Sequence, residues 1–296
     1  TLREVMAHQA GLQSWIPFWK QSVSNNKLDT SIYSKTKSER FSIPVADSLF
    51  LRKDYKDSID KWIDNSPLTD KGKYVYSDLG PILMKEVVEE LSGKSLDAFL
   101  NSNFYQPLGL SRLTYNPRNK FPTAEIIPTE NDTAFRKQLV HGYVHDPAAA
   151  MLGGVSGNAG IFADANDLAV IMQMLANGGT YGGKRFLSEK TVTVFTYPSF
   201  PADKNRRGLL FDKPEPDTTK ASPTCKSASL RTFGHQGFTG TCTWADPEHH
   251  LVYVFLSNRV NPDAANEKLG NNHHAYLTPN TGPIQRYTHT QPLIPF

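Results

Sequence analysis

The residues best suited to chemistry fall into two short clusters, Tyr76-Ser77-Asp78 and His235-Gln236-Gly237. A phenol with a pKa of about 10 acts as a base only where cations hold it down. Tyr76 stands just before an apolar periodic run that starts at Leu79, so its ring is expected at a rigid corner, near the positive end of a helix that favours phenolate. His235 is expected at a strand end, where the bare backbone of Gly237 would let a substrate approach the edge and one N–H could help hold an oxyanion. Asp78 could position polar substrate groups, and it is also placed to cap the helix. Each has a plain alternative: a half-buried tyrosine at a helix entry, a surface histidine before a turn, an aspartate that only caps.

Such groups assist a nucleophile, and none is evident. Ser-x-x-Lys strings occur at Ser24-Asn25-Asn26-Lys27 and Ser34-Lys35-Thr36-Lys37. Both sit in polar, irregular sequence, whereas aligning serine and lysine on one face needs an apolar helix. Ser156, in Gly154-Val155-Ser156-Gly157-Asn158, nearly spells a nucleophile elbow, but Asn158 stands where glycine is needed and no strand precedes it. It reads as a loop hydroxyl near the site. His141, His145 and Asp146 lack the third ligand and the His-Glu-x-x-His-like context that zinc requires, so no metal or cofactor is expected. Cys225 and Cys242 exclude a disulfide-dense fold; they flank an expected hairpin and read as two unpaired thiols, Cys242 packed in a strand, with a bridge between them as the alternative.

The remaining sequence must position these groups. At 296 residues and 39% hydrophobic content it can bury a substantial core. Lys plus Arg 32 against Asp plus Glu 29 gives only +3, scattered, which offers no footprint for nucleic acid. No apolar run approaches the roughly 20 residues of a membrane span, and no signal-peptide pattern opens the chain.

Thr1 and Glu4 form a capping-box pattern for a short helix ending by Gly11. Residues 25–64 read as a long, irregular surface excursion. Asp78 is expected to cap a helix through Leu79, Ile82, Leu83, Val87, Val88 and Leu91 to Gly93, followed by a second from Ser95 and a third over about 166–176. The glycine block Gly153 to Gly160 suggests tight turns or backbone pressed on another surface. Strands are expected over 230–233, 241–245 and 251–256 as an antiparallel meander. Residues 263–296, rich in proline, read as an irregular tail, leaving 1–262 as the domain.

With these blocks in order, Thr1-Leu2-Arg3-Glu4 through His8-Gln9-Ala10-Gly11-Leu12, Tyr76-Ser77-Asp78, Leu152 to Gly160 and Phe233 to Gly240, the sequence resembles the penicillin-binding protein and serine β-lactamase superfamily, class C-related branch, over about Thr1 to Pro262. In that superfamily a Ser-x-x-Lys serine and lysine, a Tyr-x-Asn tyrosine and a Lys/His-x-Gly strand surround one acyl-transfer site. The resemblance implies an α+β fold, an antiparallel β-sheet flanked by helices plus a mainly helical lobe, with the first strands and the nucleophile helix expected ahead of Thr1. An N-terminally truncated chain of this kind is expected to be inactive alone and to expose apolar surface.

Ile127-Pro128-Thr129-Glu130 and Gly142-Tyr143-Val144-His145-Asp146 look most like muropeptide amidases of bacterial cell-wall recycling. In such proteins a glycoside hydrolase family 3 domain can precede, and the location implied is extracytoplasmic. Tyr76 and His235 would then be catalytic, His235 lowering the tyrosine pKa, with Asp78, Gln236, Gly237, His145 and Ser156 contacting substrate. Two departures stand out: Asp78 replaces the usual Asn, which argues against efficient β-lactam hydrolysis, and Asn158 stands where relatives commonly carry His. A promiscuous carboxylesterase and a non-catalytic binding module for peptidoglycan peptides are the alternatives.

Overall fold

A computed structural model describes residues 1–266 and 292–296. Thr1 caps α1 (Leu2–Met6), its hydroxyl accepting from the Glu4 amide at 3.3 Å while the Glu4 carboxylate accepts from the Thr1 amine at 2.6 Å. Next, β1 (Val23–Ser24) and β2 (Lys27–Leu28) form a two-residue hairpin whose turn, Asn25-Asn26, has both φ angles positive. A three-stranded antiparallel sheet follows in the order β3 (Tyr33–Ser34), β5 (Leu49–Arg52), β4 (Phe41–Ala46), and then α2 (Lys56–Asp64).

Residues 25–64 are therefore not a surface excursion. Val45, Ala46, Leu49, Leu51, Tyr55, Ile59 and Ile63 are all buried in the largest apolar core. Short strands hid this: β4 contains Pro44 and shifts register twice against β5, while α2 shows its buried face only at Ile59 and Ile63, one turn apart among charges.

Beyond Asp78, α3 (Leu79–Ser92) runs to Gly93, whose φ of 64° closes a left-handed cap, and α4 (Leu96–Leu100) follows. After β6 (Thr114–Tyr115), the hairpin β7 (Pro128–Asp132) and β8 (Gln138–His141) leads to α5 (Pro147–Met151), β9 (Ile161–Ala163) and α6 (Ala165–Ala176), which Asp164 caps. The small hairpin β10 (Thr180–Tyr181) and β11 (Lys184–Arg185) precedes α7 (Glu189–Thr196). The expected meander is present as β12 (Phe233–Gln236), β13 (Cys242–Asp246) and β14 (Leu251–Phe255), with α6 packed on β13 and β14. Its first strand starts three residues late, because Leu230 is 64% exposed and only Phe233 enters the core. These antiparallel sheets with flanking helices are the α+β architecture expected.

Most of the expected irregular tail lies outside the described residues. Its last part is placed: β15 (Ile294–Pro295) pairs antiparallel with β9, and Leu293 is buried.

Arg136 holds the region that faces the site. Its side chain is buried, donating from Nε to Asp132 at 2.7 Å, from Nη2 to Glu130 at 2.6 Å and His145 O at 2.8 Å, and from Nη1 to Val144 O at 2.7 Å. This fork ties the β7–β8 hairpin to the segment that presents His145 and Asp146. From the other side, Gly157 presses on α3, where a Cβ would collide with the Pro81 carbonyl.

Candidate functional site

The corner before α3 is built by Ser77 rather than Asp78. The Ser77 hydroxyl accepts from the Leu79 amide at 3.2 Å and donates to Gln13 O at 2.6 Å. Asp78 already has helical backbone angles, φ −72° and ψ −22°, and its side chain makes no cap. Its carboxylate interacts instead with the Tyr76 hydroxyl and feels Asp146. The capping expected of Asp78 thus passes to its neighbour, which leaves the carboxylate free for the site.

Tyr76, 37% exposed, is enclosed by rings and one cation. The His8 ring lies 4.6 Å away with a 32° tilt, and the His235 ring 6.1 Å away at 40°. The Arg207 guanidinium sits 5.1 Å from the Tyr76 ring centroid and 5.6 Å from that of Tyr74, donating to the Tyr74 hydroxyl at 2.8 Å. Arg207 itself is pinned by Asp212 at 3.3 Å. Burial raises the Asp212 carboxyl, but Arg207 and Arg206 prevail and hold it below its usual range.

Electrostatically the corner is the reverse of the one expected. Burial, then Asp78, pushes the Tyr76 phenol up to about 12, against the pull of Arg207. Burial and Arg207 push His235 down, so it is neutral and supplies no cation to the phenol. Burial, Arg207 and His235 push His8 down to about 3, and its Nδ1 accepts from the Ser77 amide at 3.1 Å. Burial, then Asp146, lifts Asp78 to about 6. In this arrangement Tyr76 is a proton donor, not a resting phenolate.

The other expected residues are only partly gathered here. His145 stacks on Phe238 of the β12–β13 turn at 5.1 Å, and its Nε2 lies 3.4 Å from Glu130. Gln236 donates to Pro223 O at 3.4 Å. Gly237 serves its own hairpin, since a Cβ there would strike the Thr241 hydroxyl, so its lack of a side chain is explained without substrate. Ser156 is 1% exposed and donates to Asn158 at 2.7 Å, which in turn donates to Asp146 at 3.2 Å. It braces Asp146 from inside the loop, closed off from solvent. The β12 edge is also less open than expected, because Asp212 and Gly234 exchange backbone hydrogen bonds of 2.8 and 3.0 Å.

Neither Ser-x-x-Lys string makes a nucleophile helix. Ser24 and Lys27 face each other across the β1–β2 hairpin, and Ser34 lies in β3, donating to Thr36 O at 2.8 Å. His141 is spent on Ile126 O at 2.7 Å. Among the described residues no group of three or more His, Cys, Asp or Glu could hold a metal. Both cysteines are free, with Cys242 buried in β13.

Sequence reasoning missed His8, Arg207, Asp212 and Asp146 as members of the site. The available signals were the His8-Gln9-Ala10-Gly11 block and the Arg206-Arg207 doublet followed by Asp212. Beside the site a cavity of about 40 Å³ is lined by Trp15, Trp19, Asp78, Asp146 and their neighbours, room for about one water.

The paired shifts give opposite pH effects. His8, near 3 when folded and 6.5 when unfolded, leaves stability intact above 6.5 and removes it as the pH falls through that window, by about 1.4 kcal/mol per pH unit. Asp78 works the other way: with 6 folded against 3.8 unfolded, the native state holds the extra proton between those values, so acidification stabilises it there. Urea midpoints are expected to fall from about pH 7 to about pH 4, and to fall more steeply in Asp78→Asn. Equal slopes in the two proteins would show that Asp78 is not raised.

The beta-lactamase family model matches residues 1–277. A Salmonella gallinarum protein provisionally named a D-alanyl-D-alanine carboxypeptidase is 36% identical over 214 residues, covering 68% of this chain and 49% of that one. The chain spans about half the length of the curated relatives it matches. Among solved structures, a penicillin-binding protein homologue from Caulobacter crescentus superposes with a TM-score of 0.54 at 19% identity, covering 87% of this chain and 65% of that one. EstCE1, described as a hydrolase with promiscuous acyltransferase activity, gives 0.55 at 18% identity over 92% and 68%. Those two share the fold with this protein, and the match across its length shows that the chain belongs to the beta-lactamase family.

Proposed function

We propose that this chain carries one side of the acyl-transfer site of an extracytoplasmic serine hydrolase acting on cell-wall muropeptides, as an amidase. The observation that carries the reading is the meeting of Tyr76, Asp78 and His235 at one corner, with a protonated Tyr76 hydroxyl beside the Asp78 carboxylate. The nucleophilic serine and its lysine come, in this reading, from sequence ahead of Thr1. As serine Oγ attacks the amide carbon, its proton passes to the Tyr76 oxygen while the Tyr76 O–H protonates the leaving nitrogen, the C–N bond breaks, and water then hydrolyses the acyl ester, returning a proton to serine and releasing the acid. A lysine ammonium beside Asp78 would both pair with that carboxylate and draw the Tyr76 pKa down. Gln236 and His145 then border the acyl-binding cleft, and a preceding glycoside hydrolase domain would act on the sugar of the same substrate.

A second reading is favoured by the Salmonella relative's name: a D-alanyl-D-alanine carboxypeptidase, which breaks a different amide of the same peptide.

The test is fluorophosphonate labelling and muropeptide digestion, read by mass spectrometry, with this chain beside a protein extended upstream. The extended protein is expected to label ahead of Thr1 and release whole peptide, and this chain to do neither. Release of D-alanine alone would assign the carboxypeptidase. Preference for a short acyl ester would assign an esterase, and binding without turnover a binding module. A label on Ser24, Ser34 or Ser156 would overturn the placement of the nucleophile.

A further inference from the structure

Two bonds of the His235 ring prescribe one tautomer. Nδ1 lies 2.7 Å from Gln236 O, a carbonyl that can only accept, so Nδ1 carries the hydrogen. Nε2 lies 3.2 Å from Arg207 Nη1, a group that can only donate, so Nε2 must present its lone pair. The requirements agree: the ring is neutral, and protonating Nε2 would set an N–H against a guanidinium.

Arg207, 6% exposed, reaches three elements at once. It donates to Tyr74 from the loop ahead of α3, meets His235 on β12 and pairs with Asp212 on the bridging segment. It also lies over the rings of Tyr74 and Tyr76. The other titratable groups facing this knot are His8 at the end of α1 and Arg206, which chelates Asp212 at 2.9 and 3.1 Å. Among the described residues no other cation lies over the Tyr76 ring.

We propose that Arg207 is the positioning residue and fixed positive charge of this site, holding His235 as a neutral Nδ1–H imidazole and clamping the tyrosines, so that His235 is a spacer and not the site's cation. This deepens the acyl-hydrolase reading and rests on it for the identity of the site. A guanidinium stays charged at any working pH, whereas a histidine in that role would lose its charge through the neutral range. The charge behind the β12 edge is therefore constant, and the pH dependence of the corner falls to Asp78 and the incoming lysine.

The experiment is two-bond ¹H–¹⁵N NMR of the histidine rings in this 296-residue chain, with His235 assigned by its loss in His235→Gln. It uses no substrate, so failure of the hydrolase reading leaves it untouched. The expected result is an Nδ1–H, Nε2-acceptor pattern that persists from about pH 8 to about pH 5. In Arg207→Met, burial remains but the guanidinium is gone, so His235 is expected to take up its proton at a higher pH than in the unaltered protein while staying below its ordinary value of about 6.5. An Nε2–H tautomer, or ordinary titration of His235 in the unaltered protein, overturns the proposal. So does a His235 titration that does not move in folded Arg207→Met. If that variant fails to fold, the tautomer of the unaltered protein decides alone.

Discussion

Arg136→Met is expected to lose about 3–5 kcal/mol of folding free energy, the largest stability effect of any single substitution considered. The cost comes from what stays behind. Asp132 and Glu130 are 6% and 8% exposed and would be left as buried carboxylates without their cation, and the carbonyls of Val144 and His145 would lose their donors. Asp132 retains the amides of Ala134, Phe135 and Arg136, so it keeps part of its solvation, whereas Glu130 is left with only His145. Arg136→Lys keeps the charge but not the fork, and should fall between the two. Urea unfolding of the three proteins measures this, and a loss below about 1 kcal/mol for the methionine variant would mean that the network is closer to neutral than its geometry indicates.

Tyr76→Phe should have the largest effect on catalysis. In an upstream-extended protein that turns over muropeptide, kcat/KM is expected to drop by about 10²–10⁴-fold, mostly in kcat, because the proton carrier is lost while the ring remains. The phenyl ring keeps its contacts with His8 and Arg207, so folding should be spared. Burial and Asp78 hold the Tyr76 proton in place, so the variant loses a neutral O–H donor that already carries its proton, not a base that must first be made. A drop below about tenfold with an unchanged pH profile would move the proton transfer elsewhere.

What could be read from the sequence was what is local. The capping box at Thr1, the run from Leu79 to Gly93 and the meander around Trp244 all announce themselves within one or two turns or one strand. The polar, irregular setting of the two Ser-x-x-Lys strings also separated Ser24 and Ser34 from a nucleophile, and the hairpin and strand that hold them agree. Two kinds of information were lost. Short strands broken by Pro44 and by register shifts carry too few alternating positions to stand out, so a core segment looked like a loop. Charge states depend on partners far along the chain: Arg207 lies 28 residues from His235 and 133 from Tyr74, and no window around His235 reveals that a guanidinium has taken its lone pair. The position of Asp78 allows a cap, but its backbone is already helical and Ser77, one residue earlier, accepts from the Leu79 amide instead.

The pairing of β15 with β9 has a kinetic side. Thr239, in the turn that follows His235, donates its hydroxyl to Pro295 O at 3.0 Å across 56 positions, and Leu293 bridges the backbones of Glu125 and Ile127. Closing such long loops is slow compared with forming a hairpin. The turn that follows His235 is therefore expected to be completed later in folding than the local β12–β13 hairpin, only once residues 293–296 have docked on it.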